Sequence, residues 1–369
     1  MATPPLLAGV KVLELGQYVP APYAALSLAD LGADVIKIEP PAGDPMREVG
    51  RVRQGPVSVS YETMNGGKSV LRLDLKTAPA RAVARDLVAR ADVLIESYRP
   101  GVLDRLGLDR ETLQRINPRL VHCAITGFGQ NGPLAQAAGH DLTYMATGGG
   151  LGLSGTAAAP VMTRPPVSDF AAGLQAGMTV LAGLLRRETT GRGCYIDIAM
   201  SDVVLAWQGP TLSEALGAEG AVARGVDPET GGLACYNLYR VACGTFVTLA
   251  AEEDRFWQRF CAAVGRPDLM GRNADPAPQT ELIALLGALF STREAAAWEA
   301  LLAPADCCFQ RVLMPDEVVA FPQFADRAMI SRRGAVVDVN RPSWIDGAPP
   351  APRRGFVEYA MADAAALWR

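Results

Sequence analysis

Residues 10–39 read VKVLELGQYVPAPYAALSLADLGADVIKIE, and the fold turns on them. Two short runs rich in Val, Ile and Leu, Val10–Leu15 and Val35–Glu39, flank Pro22–Leu31, whose apolar residues recur at helical spacing. Short apolar runs with little alternation fit strands buried on both faces. Pro22 stands where a first-turn proline is tolerated, because that N–H has no intrahelical partner. Strand, helix and strand in this order imply parallel strands joined by a covering helix.

Outward from there the pattern repeats. Ser69–Leu75 precedes a helix over Ala78–Arg90, and Val93–Glu96 and Leu120–Thr126 read as further strands. The fold class is α/β, with an open parallel-sheet, Rossmann-like large domain. From Thr126 to Gly155 glycine is dense, as in loops that turn tightly or approach a ligand. Phe170–Arg187 reads as one long apolar helix, with Gly191-Arg192-Gly193 as its stop. Tyr195–Met200 reads as a strand, followed by a helix from Ser201 and a polar, Gly-rich break near 224–232. Beyond it come two strands, Cys235–Val241 and Thr245–Ala250, around the turn Ala242-Cys243-Gly244, and then helices. The expected organisation is a large domain over 1–200 completed by 330–369, a linker over 201–232, and a smaller α+β domain over 233–325.

Of the 369 residues, 49% are hydrophobic and 20% charged, the balance of a folded chain, and the net charge of −4 offers no overall basic field for nucleic acid. A polyanionic ligand must therefore meet a local cluster of Arg and Lys. The seven cysteines are odd in number and form no Cys-x-x-Cys pair, which fits free thiols in a reducing compartment. Cys123, Cys307 and Cys308 have no neighbouring base in sequence and read as packing residues. With only His122 and His140 as imidazoles, no metal site is expected. His122 lies inside the apolar run LVHCAIT and reads as structural. No uninterrupted apolar stretch of about 18 residues suggests a membrane span, and no leader-like start or peroxisomal ending is present. The expectation is a soluble cytoplasmic enzyme with no membrane partner.

The turn after the first run, Gly16-Gln-Tyr-Val-Pro-Ala-Pro, lacks the three-glycine dinucleotide fingerprint, which argues against hydride transfer. Residues 10–47, GGKSVLRLDLK (66–76), LIESYRPGVLDRLGL (94–108), NPRLVHCAITGFGQNGP (117–133) and TGRGCYIDIAMSD (190–202) together resemble the family III CoA-transferase and α-methylacyl-CoA racemase superfamily (CaiB/BaiF type). The resemblance implies that Lys37, Leu73, Lys76, Tyr98, Arg99 and Arg105 line the coenzyme A adenine and phosphate region. Phosphates favour Arg forks and Lys point charges, and a set of cations at strand ends suits such a ligand. No cofactor beyond the coenzyme A moiety of the substrate is implied.

Removing a proton α to a thioester needs a base on one face of the carbon, and inversion needs an acid on the other. His140, in AGHDLTY, and Asp169, in PPVSDFAAG, are the candidates. Alone, His140-Asp141 also reads as a hydrogen-bonded loop pair, and Ser168-Asp169 as helix-capping chemistry. In racemases of the superfamily, Gly-His-Asp followed by Tyr aligns with His140, Asp141 and Tyr144, and Asp-Phe with Asp169 and Phe170. The resemblance therefore implies His140 and Asp169 as opposed bases, with Asp141 and Tyr144 counted in the coenzyme A set. It also implies a Glu behind the imidazole, matched by Glu253. Glu252 is adjacent, and on a strand only one of the two would face the site. Thr143, Ser168 and Ala171-Ala172 depart from the racemase pattern, as does Gln310-Arg311 in the smaller domain.

The expected function is racemisation or epimerisation of a 2-substituted acyl-CoA, closest to the racemase branch. The alternative is CoA transfer between carboxylic acids through an aspartyl intermediate on Asp169. Against transfer, LAAEEDRFW in the smaller domain lacks the mobile glycine loop of transferases. A non-enzymatic CoA-binding protein would have no use for His140, Asp169 and Glu253 together. The resemblance further implies a homodimer of interlocked chains, with the C-terminal segment returning to the large domain.

Overall fold

The computed structural model describes residues 4–217 and 222–368. These residues fall into two compact units. One holds the chain up to Gly148, Thr163–Trp207 and the chain from Phe321 onward; the other holds Gly149–Met162 and Gln208–Ala320.

The first unit is built on a sheet of seven parallel strands. Their spatial order is Val357–Tyr359, Ser69–Arg72, Asp34–Glu39, Lys11–Leu15, Val93–Glu96, Val121–Thr126 and Cys194–Ala199. The chain moves from the centre to one margin, jumps back across Lys11–Leu15, and then fills the other side. Each inner strand is buried on both faces, which is why it reads as a continuous apolar run. Val12, Val35, Ile95, Cys123 and Ile196 pack under the helices Pro20–Ala29 and Val167–Thr190. Leu13, Ile36, Leu71 and Leu94 pack on the opposite face under Ala78–Arg90.

The helix Val167–Thr190 has 24 residues, longer at both ends than the sequence suggests, and stops where Gly191 enters the left-handed region at φ 70°. Its buried face is made of small residues. A Cβ on Gly173 would lie 2.9 Å from the carbonyl oxygen of Pro20, and one on Gly183 3.0 Å from Val121 Cγ1. Small side chains let the helix lie close on both its neighbour and the sheet.

Differences from the expected elements have physical causes. The helix read from Ser201 runs over Met200–Trp207 and belongs to the first unit rather than to a linker, because Met200 and Val203 enter the large core. Gly149–Met162 groups with the smaller unit rather than the larger. The glycine-dense stretch contains a helix, Asp141–Thr147. The tail, expected to complete the large domain, adds a strand that was not read from the sequence, Val357–Tyr359, fastened by Glu358 to Arg72 at 2.8 Å and Arg47 at 3.2 Å.

The second unit carries three antiparallel strands in the order Phe309–Arg311, Phe246–Ala250, Tyr236–Arg240. Its core is aromatic: Trp257, Phe260, Phe290 and Trp298 are buried, with Tyr239 stacked on Phe290 at 4.8 Å. Both buried indoles donate to carbonyls, Trp257 to Leu269 and Trp298 to Phe290, each at 2.8 Å.

Candidate active site

In an open parallel sheet, ligands meet the carboxyl ends of the strands where the strand order reverses. Here that point lies between Lys11–Leu15 and Val93–Glu96. The turns after both strands touch: the Gln17 amide donates to Ser97 Oγ at 3.4 Å, and a Cβ on Gly16 would lie 3.3 Å from the same oxygen. Tyr98 and Arg99 follow directly on the second turn.

A buried ionic network braces this end of the sheet. Lys37 Nζ donates to Glu14 Oε1 at 2.7 Å, Asp44 Oδ2 at 2.9 Å and the Gly16 carbonyl at 2.8 Å. Lys68 Nζ donates to Glu14 Oε2 at 2.7 Å, the Pro22 carbonyl at 2.9 Å and Asn65 Oδ1 at 3.1 Å. Burial opposes the charge on Glu14, but Lys37 and Lys68 outweigh it and hold the carboxyl below its usual range. Burial takes Lys68 down to about 8. Asp44 passes the support on, since its Oδ1 accepts from the Tyr18 amide at 3.2 Å. Tyr18 sits at φ 62°, where a non-glycine residue is strained, and its ring stands edge-on to His140 with centroids 6.3 Å apart.

This geometry corrects two expectations. Lys37 is fully buried and all three of its donors are occupied, so it holds up the first turn and has none left for a phosphate. Leu73 is 2% exposed and belongs to the core, so it presents no platform to an adenine. Lys76, Arg99 and Arg105 are exposed and form no ion pair among the described residues. Tyr98 is half-buried, and its amide donates to Glu96 Oε2 at 2.7 Å.

His140 and Asp169 are joined through Asp141. His140 is exposed and immediately precedes the helix Asp141–Thr147; its amide donates to Thr143 Oγ1 at 3.4 Å. Asp141 Oδ1 accepts from the Ser168 amide and Ser168 Oγ, both at 2.7 Å, and from the Asp169 amide at 3.4 Å. The cap of the long helix thus comes from a different helix. Ser168 and Asp169 lie inside the first turn rather than at the cap, and the Asp169 carboxyl is left free for other work. Burial first, and the Asp141 charge second, push that carboxyl up to about 7.

Tyr144 forms the wall behind this pair. It is buried, with its ring pressed against Gly127 and Gly139, where an added Cβ would come within 2.4 and 2.5 Å of the ring. Burial and then the Asp169 charge push its phenol up, while Arg99 opposes them. Asp141 thus caps the long helix, and the Tyr144 ring packs on Gly127 and Gly139 beside it. Tyr18, Asp44, Glu14 and Lys68 carry no local signal in the sequence, because they sit together only through the sheet. Gly127 in GFG and Gly139 in AGH are the trace that the Tyr144 pocket leaves in the sequence.

Glu252 and Glu253 lie in the second unit, and both are exposed. The strand ends at Ala250, and Glu253 is the residue before the helix Asp254–Ala263, so the expected strand alternation does not apply. Cys308 also departs from expectation: it is exposed, at φ 56°, whereas Cys123 and Cys307 are buried. Among the described residues, no three His, Cys, Asp or Glu side chains gather as a metal site would need.

The family model described as CoA-transferase family III matches residues 7–355. The acetyl-CoA:oxalate CoA-transferase of Acetobacter aceti is 33% identical, over 92% of this chain and 89% of that protein. Human alpha-methylacyl-CoA racemase is 32% identical, over 85% of this chain and 79% of its own. A crystal structure of a CAIB/BAIF family protein from Brucella suis superposes with a TM-score of 0.87 at 29% identity, covering 99% of both chains.

Proposed function

Since the chain belongs to CoA-transferase family III, an acyl-CoA-handling family that includes racemases, we propose that it racemises or epimerises a 2-substituted acyl-CoA at the α-carbon. The observation that carries this reading is the bridge of Asp141, which ties the residue after His140 to the amide of Asp169. It keeps an imidazole and a carboxyl of pKa about 7 at one end of the sheet. One of them takes the α-proton, and the C–H electron pair passes into the thioester enolate. The other returns a proton to the same carbon from the opposite face. Each direction leaves the pair in the protonation state that the reverse direction needs. A carboxyl half-protonated near neutral pH suits both halves of that exchange. Lys76, Arg99 and Arg105 are the free cations offered to the coenzyme A phosphates.

The similarity to acetyl-CoA:oxalate CoA-transferase favours a second reading. In it the Asp169 carboxylate attacks the thioester carbonyl, releasing CoA thiolate and leaving a mixed anhydride. The thiolate then attacks the aspartyl carbonyl and expels the first acid. A carboxyl that must be ionised to attack is not helped by a pKa near 7.

Resolved 2-methylacyl-CoA in D2O separates the two, read by NMR for α-deuteration and by mass spectrometry for adducts. Racemisation gives α-deuteration without an adduct. His140→Ala then abolishes inversion, while exchange from one enantiomer survives through Asp169; Asp169→Asn gives the mirror-image defect. An adduct on Asp169 in the presence of an acceptor acid, with no α-exchange across a broad acyl panel, would overturn the proposal.

A further inference from the structure

Strand Val121–Thr126 turns Val121, Cys123 and Ile125 to the core beneath the long helix. His122 therefore faces the other side of the sheet, as does its register partner Tyr195. This is the face away from the helix that carries Asp169. Along most of the sheet that face is covered, but beside the margin strand the cover ends at the helix Arg110–Ile116. Under its end lies a cavity of about 340 Å³, within the range of small-molecule sites, lined among others by Arg110, Leu113, Leu120, His122, Arg186 and Tyr195.

His122 is 6% exposed, and neither of its ring nitrogens has a partner among the described residues. A histidine kept for packing would leave a donor and an acceptor unused, which folded proteins seldom do. Arg110 lies over the Tyr195 ring at 4.6 Å, and the His122 and Tyr195 rings meet edge-on at 4.9 Å. Stacking fixes the plane of a guanidinium while leaving its N–H edge free to grip a carboxylate with two parallel bonds. Arg110 and Arg186 make no ion pair among the described residues, and no carboxylate lines this cavity. Glu96 and Asp104 line only the smaller hollow next to it, of about 50 Å³. Burial first, and Arg110 second, hold His122 down to about 4, so it meets a ligand as a neutral ring with one N–H to give.

We propose that this cavity is a binding site for a small organic carboxylate with an apolar body, separate from the Asp169 cluster. Its carboxylate rests in the Arg110 fork with Arg186 beside it, its body lies against Leu113 and Leu120, and the His122 N–H donates to it from the floor.

The chain has two histidines, so imidazole NMR of the full-length protein gives two signals, assigned with His122→Leu. Benzoate is the probe, and benzyl alcohol its uncharged control. Benzoate should move the His122 signal saturably, and benzyl alcohol should not. Arg110→Gln should weaken the response at least tenfold and Arg186→Gln severalfold. Arg110→Lys keeps the charge without the flat fork and should also weaken it, which covers the case of an unstable Gln variant. No saturable shift, an equal response to benzyl alcohol, or full affinity in the Arg110 variants would overturn the site. If benzoate does nothing and Arg110→Gln weakens self-association, a second copy fills the cavity and the ligand reading falls.

Discussion

Asp169 has two properties that a surface carboxylate lacks: it is partly buried, and a second carboxylate stands beside it. Its pKa in the folded protein is raised from the ordinary 3.8 to about 7, so ionisation costs stability. The penalty grows as pH rises from about 4 to about 7 and is constant above. Asp169→Asn should therefore be more stable than wild type at pH 8, by on the order of 1–3 kcal/mol, and show no gain near pH 4. Denaturant melts at the two pH values check this. In catalysis the sign depends on direction. Where Asp169 takes the proton, kcat/KM falls as pH drops through about 7; where it gives one, kcat/KM falls as pH rises through the same value. Asp141→Asn removes a charge but keeps an oxygen for the Ser168 amide, so both limbs should move to lower pH. Unmoved limbs would take Asp141 out of the causes. His140 and Asp169 could be picked out as candidates from the sequence because AGHDLTY and SDF are local motifs. Tyr18 and Asp44 were not, because only the parallel register brings their turns together. Lys37 was misread because a lysine at a strand end looks alike whether it faces a phosphate or two buried carboxylates.

The long helix Val167–Thr190 tests how closely its elements pack. Gly173 and Gly177 are one turn apart, yet their surroundings differ. A Cβ at 173 would press on the Pro20 carbonyl and the Tyr23 ring, while one at 177 meets nothing within 4 Å. Gly173→Ala should cost about 1–3 kcal/mol, because backbone cannot move aside cheaply. Gly177→Ala should gain about 0.5–1 kcal/mol from helix propensity. Thermal unfolding of the two variants gives the contrast, and equal shifts of the same sign would refute the close contact at 173. The strands and this helix were legible because burial on both faces leaves long apolar runs. The helix Asp141–Thr147 was not, because seven residues amid glycines carry too little periodicity.

Leu174, Met178 and Leu185 form one stripe on the outer side of that helix, 54%, 60% and 73% exposed. A stripe of this length fits a partner surface better than water. Together with the homodimer implied by the resemblance, it leads us to propose that a second copy covers it. Light scattering should give twice 39.0 kDa. Met178→Glu and Leu185→Glu should each weaken association by about 1–3 kcal/mol, and a stable, active monomer in the wild type would refute the dimer. The two-part organisation was legible from the change of pattern near residue 230. Its borders were not, because the glycine run at 148–155 reads as a loop near a ligand as readily as a passage of the chain into the second unit.

The parallel sheet is finished at one margin by Val357–Tyr359, whose neighbour Ser69–Arg72 comes from the early part of the chain. A ribosome makes the second long before the first. Throughout synthesis of the intervening unit, the nascent chain carries an open margin at Ser69–Arg72, with Arg47 and Arg72 waiting for Glu358. Bare strand margins pair with whatever extended chain is near, including another nascent copy. Chaperone demand should therefore peak late in translation, and it should be relieved by three residues rather than by a domain. A message cut short just before Val357 would encode every member of the His140–Asp169 cluster, and the cell would meet its product as aggregate rather than as a slow enzyme.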